Sequence, residues 1–154
     1  PHEALAICDR VAVLRSGEIQ QYSTPLEMVS SPFNDFIGQF VLQKNILPIQ
    51  YINNSYSTFI GKLNISVNSS ISSKSVCMFD KNAIRIQSSS NDSFTVISKE
   101  YRINHFVYTV VSDSLKLISE MSLNTDLSIG DRCKVETIQD KNFLVLPENI
   151  KSKF

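Results

Sequence analysis

Apolar and polar residues change their spacing twice along this chain. Over residues 2–8, Ala4, Leu5, Ala6 and Ile7 follow a charged start and read as the end of a helix. Val11-Ala12-Val13-Leu14 is a short, continuous apolar run bounded by charges, the pattern of a strand covered on both faces. Arg15-Ser16-Gly17 turns it, and Glu18–Tyr22 returns as a more polar, edge-like strand. Thr24-Pro25-Leu26-Glu27 is a capping box. The Thr24 hydroxyl accepts from the amide of Glu27, the Glu27 carboxylate reaches back to the amide of Thr24, and Pro25 stands at the first helical position. Ser31-Pro32 ends that helix and starts another. In it Phe33, Phe36, Ile37, Phe40 and Val41 fall at i, i+3, i+4, i+7 and i+8, one apolar stripe that reads as core packing. Leu47-Pro48 ends the helical spacing.

Beyond residue 50 the pattern becomes strand-like. Ile46–Ile52, Thr58–Val67, Val76–Phe79, Ala83–Ile86, Phe94–Lys99, His105–Val111, Leu115–Ile118, Arg132–Ile138 and Phe143–Leu146 are short, partly alternating segments set off by Asn, Ser, Asp and Gly. Asn68–Ser75 and Ser88–Ser93 read as loops. No long helical pattern interrupts them, which predicts a small β-barrel or sandwich. The fold class that follows is α+β and mostly β. A helix, a strand hairpin and two short helices come first, over residues 1–43, and a β-domain follows, over residues 44–154.

Composition narrows the function. The 154 residues carry 15 Lys and Arg against 15 Asp and Glu, so nothing favours a nucleic acid partner. Cys8, Cys77 and Cys133 lie far apart, form no C-x-x-C pair, and suit a reducing compartment. No apolar run approaches the roughly 20 residues of a membrane span. Pro1 and the charged helical stretch after it do not have the pattern of a signal peptide.

Glu3-Ala4-Leu5-Ala6-Ile7-Cys8-Asp9-Arg10-Val11-Ala12-Val13-Leu14 resembles the last signature block of the ABC transporter ATPases, with Cys8 where that family has Ala. Gly17-Glu18-Ile19 resembles the family's Gly-x-Ile hairpin. Ser23-Thr24-Pro25-Leu26-Glu27-Met28 resembles its Gly-Thr-Pro-x-Glu-Ile/Leu, and Ser31-Pro32-Phe33-Asn34-Asp35-Phe36-Ile37 its x-Pro-x-Asn-x-Phe-Val/Ile. The likeness is strong over roughly the first third of the chain and weak beyond it. It implies that residues 1–43 end a nucleotide-binding domain and that residues 44–154 are an accessory β-domain of TOBE or OB-like type. In the family's register the switch histidine stands two positions before Pro1. His2 is therefore read as an exposed helix residue. Asp80-Lys81-Asn82 stands where the accessory domain often has Arg-Pro-Glu.

The resemblance also implies partners and a place: a second copy of the ATP-binding subunit, transmembrane permease subunits, indirectly a periplasmic or extracellular solute-binding protein, and the cytoplasmic face of the membrane. Gln43-Lys44-Asn45-Ile46-Leu47-Pro48, Glu100-Tyr101-Arg102 and Leu144-Val145-Leu146-Pro147 are similar to stretches of the ferric iron importers. Sulfate, polyamine, molybdate and sugar importers are the alternatives. ATP and Mg belong to the whole subunit the resemblance implies. Gly17, Gly38, Gly61 and Gly130 are isolated, so this stretch carries no phosphate loop and is not expected to hydrolyse ATP alone.

No catalytic, cofactor-binding or metal-binding residue is assigned. Tyr101, His105 and Tyr108 are ligand types that suit ferric iron. On one strand, however, His105 and Tyr108 point to opposite faces, and ordinary aromatic packing is the preferred reading. Glu136 and Asp140 form no carboxylate pair. Arg10, Arg15, Lys44, Lys62 and Lys81 read as scattered surface charges. A β-domain that binds the transported ion, or a stand-alone oligonucleotide-binding barrel, are the other functions compatible with the pattern. Without a preceding domain, the face that includes Val11, Val13, Phe36 and Phe40 is expected to be poorly covered.

Overall fold

The computed structural model describes residues 1–65, 71, 75–138 and 143–146. The chain opens with helix α1 (His2–Ile7), the antiparallel hairpin β1 (Val11–Arg15) and β2 (Glu18–Ser23), and helix α2 (Pro25–Ser30). A π-helical turn at Ile37–Val41 follows. Ser16 and Gly17, at φ +53° and +83°, make the left-handed turn that the hairpin needs. The capping box at α2 is formed on both sides: the Glu27 carboxylate accepts from the Thr24 amide at 2.9 Å, and the Thr24 hydroxyl accepts from the Glu27 amide at 3.3 Å. Gln21 is fully buried. Its carboxamide donates to Ser31 O and accepts from Phe33 N, which joins β2 to the chain leaving α2. Asn34 caps the next turn by accepting from Ile37 N at 3.0 Å.

Val13, Met28, Ile37 and Val41 form the small core of this region, with Leu5, Val11 and Phe36 packed against it. Two expectations are corrected here. Val13 is covered, not bare, whereas Ala12 and Leu14 are exposed, so β1 buries one face and not both. The apolar stripe is also broken. The π-helical register advances each turn by an extra residue, which carries Phe40 to the surface (56% exposed) and brings Gly38 inward. Phe40 stacks on Phe36 with ring centroids 5.2 Å apart.

The remaining described residues are mostly β, with one 3-10 helical turn at Lys81–Ala83, consistent with a small OB-like β-domain. Strands β3 (Asn45–Pro48), β7 (Val76–Phe79) and β13 (Phe143–Leu146) form one sheet in the order β13-β7-β3. Strands β4 (Gln50–Ile52), β5 (Ser55–Thr58) and β6 (Gly61–Lys62) form a meander. Strands β8 (Ile84–Ser88), β9 (Phe94–Arg102), β10 (His105–Val111), β11 (Lys116–Met121) and β12 (Arg132–Thr137) form a five-stranded antiparallel sheet in the order β11-β10-β9-β12-β8. One core runs through all three sheets, with Leu47, Phe79, Ile84, Ile86, Val96, Tyr108, Val110 and Leu117 among its buried members. The edges β11 and β8 are drawn together by the Ser119 hydroxyl, which donates to Ile84 O at 2.6 Å.

The strand boundaries depart from expectation around residue 50. The expected run Ile46–Ile52 is interrupted at Ile49, whose amide turns to Ser75 O. Asn53 and Asn54, at φ +51° and +59°, then close a tight hairpin into β5, which begins before the expected strand at Thr58. Of that expected strand, Ser66 and Val67 lie outside the described residues, as does most of the expected loop Asn68–Ser75. No helix among the described residues is long and apolar enough to cross a membrane.

Candidate functional site

An open cleft of about 820 Å³ lies beside the outer sheet face. It lies where the start of α1 and the chain after the π-helical turn approach the outer face of β9, β10 and β11. His2, Gln43 and Lys81 line one side, and Glu100, Arg102 and His105 the other. His2 is exposed, as expected. The Arg102 guanidinium is taken by Glu100 at 2.7 Å, and the His105 ring Nδ1 lies 2.7 Å from the Asn104 side-chain oxygen. Lys81 Nζ donates to the Gln43 carboxamide oxygen at 2.8 Å. The walls carry both signs of charge and ordinary hydrogen-bonding groups, without a nucleophile held against a base. Such a surface can receive a polar group.

Tyr101, His105 and Tyr108 are not brought together. The Tyr108 ring is fully buried and its hydroxyl donates to the carbonyls of Thr125 and Leu127, at 3.2 and 3.3 Å. Tyr101 is 67% exposed at the β9–β10 hairpin, with the Phe106 ring between it and Tyr108. Lys99 caps this aromatic row, its ammonium 4.5 Å from the Phe106 centroid while it donates to Leu127 O. Among the described residues no group of three His, Cys, Asp or Glu side chains could hold a metal ion. Glu136 is ion-paired with Lys134, which raises the lysine's pKa through the side-chain hydrogen bond first. Asp140 lies outside the described residues.

Of the cations read as scattered surface charges, Arg10, Arg15 and Lys62 are exposed, with Arg10 4.4 Å from the Tyr22 ring centroid and Arg15 4.8 Å from that of Phe36; the reading is corrected for Lys44 and Lys81. Lys44 is nearly buried, its side chain 12% exposed, and pairs with Asp80 at 3.1 Å. Lys81, on the next residue, holds Gln43. Asp80 and Lys81 therefore have partners in the chain itself. Sequence reasoning missed this contact because Gln43-Lys44 and Asp80-Lys81 are far apart along the chain, and no local pattern marks a pairing between them.

No protein-family model matches the chain. Part of it is 42% identical over 50 residues to the Fe(3+) ions import ATP-binding protein FbpC of Rhizobium etli, covering 32% of this chain and 14% of that protein. Part is 35% identical over 60 residues to the spermidine/putrescine import ATP-binding protein PotA of Mycoplasmopsis synoviae, covering 39% of this chain and 13% of that protein. The chain thus contains a segment similar to ATP-binding subunits of ABC importers. The matched segment spans less than a sixth of the length of either relative. The residues that carry the resemblance have structural duties here: Gly17 turns the hairpin, Thr24 and Glu27 cap α2, and Asn34 caps the π-helical turn.

Proposed function

We propose that this chain is the C-terminal portion of the ATP-binding subunit of a solute-importing ABC transporter. Residues 1–43 end its nucleotide-binding domain and residues 44–154 form a TOBE or OB-like accessory domain. The observation that carries this reading is the coincidence of sequence and architecture. The stretch that carries the motif resemblance, residues 3–37, falls into a helix, a hairpin and capped turns, and a separate β core follows it. The exposed apolar side chains Ile7, Leu14, Leu26 and Phe40 support it further, since they form the kind of surface that a larger α/β domain covers.

In this reading the fragment supplies no catalysis. ATP and Mg bind the preceding domain, a second copy completes the ATP site, and permease subunits at the cytoplasmic face of the membrane receive the motion. The β-domain adds contacts between copies or responds to solute. Ferric iron is the favoured solute, on the short stretches Gln43–Pro48 and Glu100–Arg102, and a polyamine is the alternative. The deciding experiment is the intact mass of the native polypeptide, together with the coding sequence upstream of Pro1. The expected result is a longer protein with His-Asp directly before Pro1 and a Gly-x-x-x-x-Gly-Lys-Ser/Thr loop further back. A coding frame that lacks both overturns the reading.

A further inference from the structure

The two cores of this chain share no residue. One gathers around Val13, Met28, Ile37 and Val41, the other around the β-sheets. They meet where the π-helical turn runs into β3, and that junction has unusual chemistry. Gly38 lies so close to Met78 that a Cβ on it would stand 2.5 Å from the methionine sulfur and methyl. Lys44 N donates to Gly38 O at 2.9 Å, which closes the turn one residue wider again than the π register. That closure places Gln43 at φ +52°, a left-handed conformation uncommon for a long side chain. Backbone held in this way persists only where its surroundings over-determine it. Here they do so with two polar ties. The Gln43 carboxamide accepts from Lys81 Nζ, and the nearly buried Lys44 ammonium pairs with Asp80.

We propose that Gln43-Lys44 and Asp80-Lys81 form a latch that locks the N-terminal helix–hairpin unit in one orientation on the β-domain. Both halves of the latch consist of adjacent residues, so each tie restrains the same short backbone stretch from a different side. Asp80 is 54% exposed and the Gln43–Lys81 bond is only part-buried, so both ties can open without unfolding either core. With them open, Gln43 is free to leave its left-handed conformation, and the chain between the cores becomes a hinge. This gives the fold two arrangements that differ in definite contacts, which any coupling between the units requires. The inference goes beyond the importer reading and stands whichever solute, if any, is carried.

The test uses paired spin labels. Cys8 is exposed, while Cys77 and Cys133 are buried, so a label at Cys8 and one at an introduced Asn91→Cys report the distance between the units. The expected result is a narrow distance distribution in the otherwise unchanged protein. It should broaden at least twofold in an Asp80→Asn/Lys81→Met variant and in a Gln43→Gly variant, with circular dichroism unchanged. If the double variant fails to fold, Gln43→Gly decides alone, since it removes the Lys81 partner while relieving the backbone. A broad distribution before any latch substitution, or variants as narrow as the parent, overturns the proposal.

Discussion

The carboxamide of Asn45 is paired with both backbone groups of Ile118. Its oxygen accepts from Ile118 N at 2.7 Å, and its nitrogen donates to Ile118 O at 2.8 Å. A side chain thus occupies the place of a neighbouring strand along β11, the edge of the five-stranded sheet. Asn45 is itself buried at the start of β3, so the pairing ties two sheets together and satisfies the edge backbone at Ile118.

Replacing Asn45 should be costly. Asn45→Ala leaves the Ile118 amide and carbonyl without that partner, with a destabilisation of about 2–4 kcal/mol in urea unfolding. Asn45→Asp keeps the acceptor but sets a carboxylate against Ile118 O. Its destabilisation should be smaller at pH 4 than at pH 7, because only the protonated carboxyl can donate and burial favours the neutral form. The sign follows: a carboxyl whose pKa is raised by folding favours the folded state more as pH falls. A loss below about 0.5 kcal/mol for Asn45→Ala would show that water replaces the carboxamide.

Gly38 is the second position where one atom decides. Gly38→Ala drives a methyl into the Met78 thioether, which is fully buried but flexible at that end. The net cost should be about 1 kcal/mol, since overpacking is partly offset by better helix propensity. Met78→Ala opens the space, so the double variant should lose less than the sum of the two single losses. Additive losses in the four-member cycle would mean that the two residues do not press on each other.

What could be read from sequence was local. Val76–Phe79, His105–Val111 and Phe143–Leu146 have the bounds their alternation predicts, because short β-branched and aromatic runs between turn residues leave few other options. The α2 cap was equally legible, since a capping box needs only four consecutive residues. Features that depend on distant partners were not. The π-helical turn follows a sequence with ordinary α-helical spacing, and only packing of Gly38 on Met78 makes the wider turn intelligible. Asn45 looks like any turn residue until Ile118 is beside it. The Asn53-Asn54 turn, by contrast, has a local signal, two residues tolerant of left-handed backbone between polar strand ends.

The three thiols should differ in reactivity. Cys77 is buried on β7 and burial pushes its pKa well above the usual thiol range. Cys133 is pushed up to about 11, by burial first and then by the carboxylates of Asp92 and Asp131. Only Cys8 is exposed. At pH 8 an aromatic disulfide reagent should modify a single thiol in the folded protein and all three after unfolding. Rapid modification of a second thiol without denaturant would mean that the β core opens on the timescale of the reaction.

The α2 cap supplies a pH-dependent term with a definite sign. The Glu27 carboxylate is held below its ordinary pKa of 4.5, by the Thr24 backbone amide first and then by the Thr24 hydroxyl. A carboxylate depressed by folding stabilises the folded state fully above its unfolded pKa, and that stabilisation is lost as pH falls through the folded value. The Thr24 amide resonance should therefore titrate with a midpoint below 4.5, and Glu27→Gln should abolish the titration. Thr24→Ala removes the hydroxyl, so it should raise the Glu27 midpoint and cost about 1 kcal/mol of stability. A Glu27 midpoint at or above the ordinary value in the unsubstituted protein would show that the cap is open in solution and that Pro25 alone starts the helix.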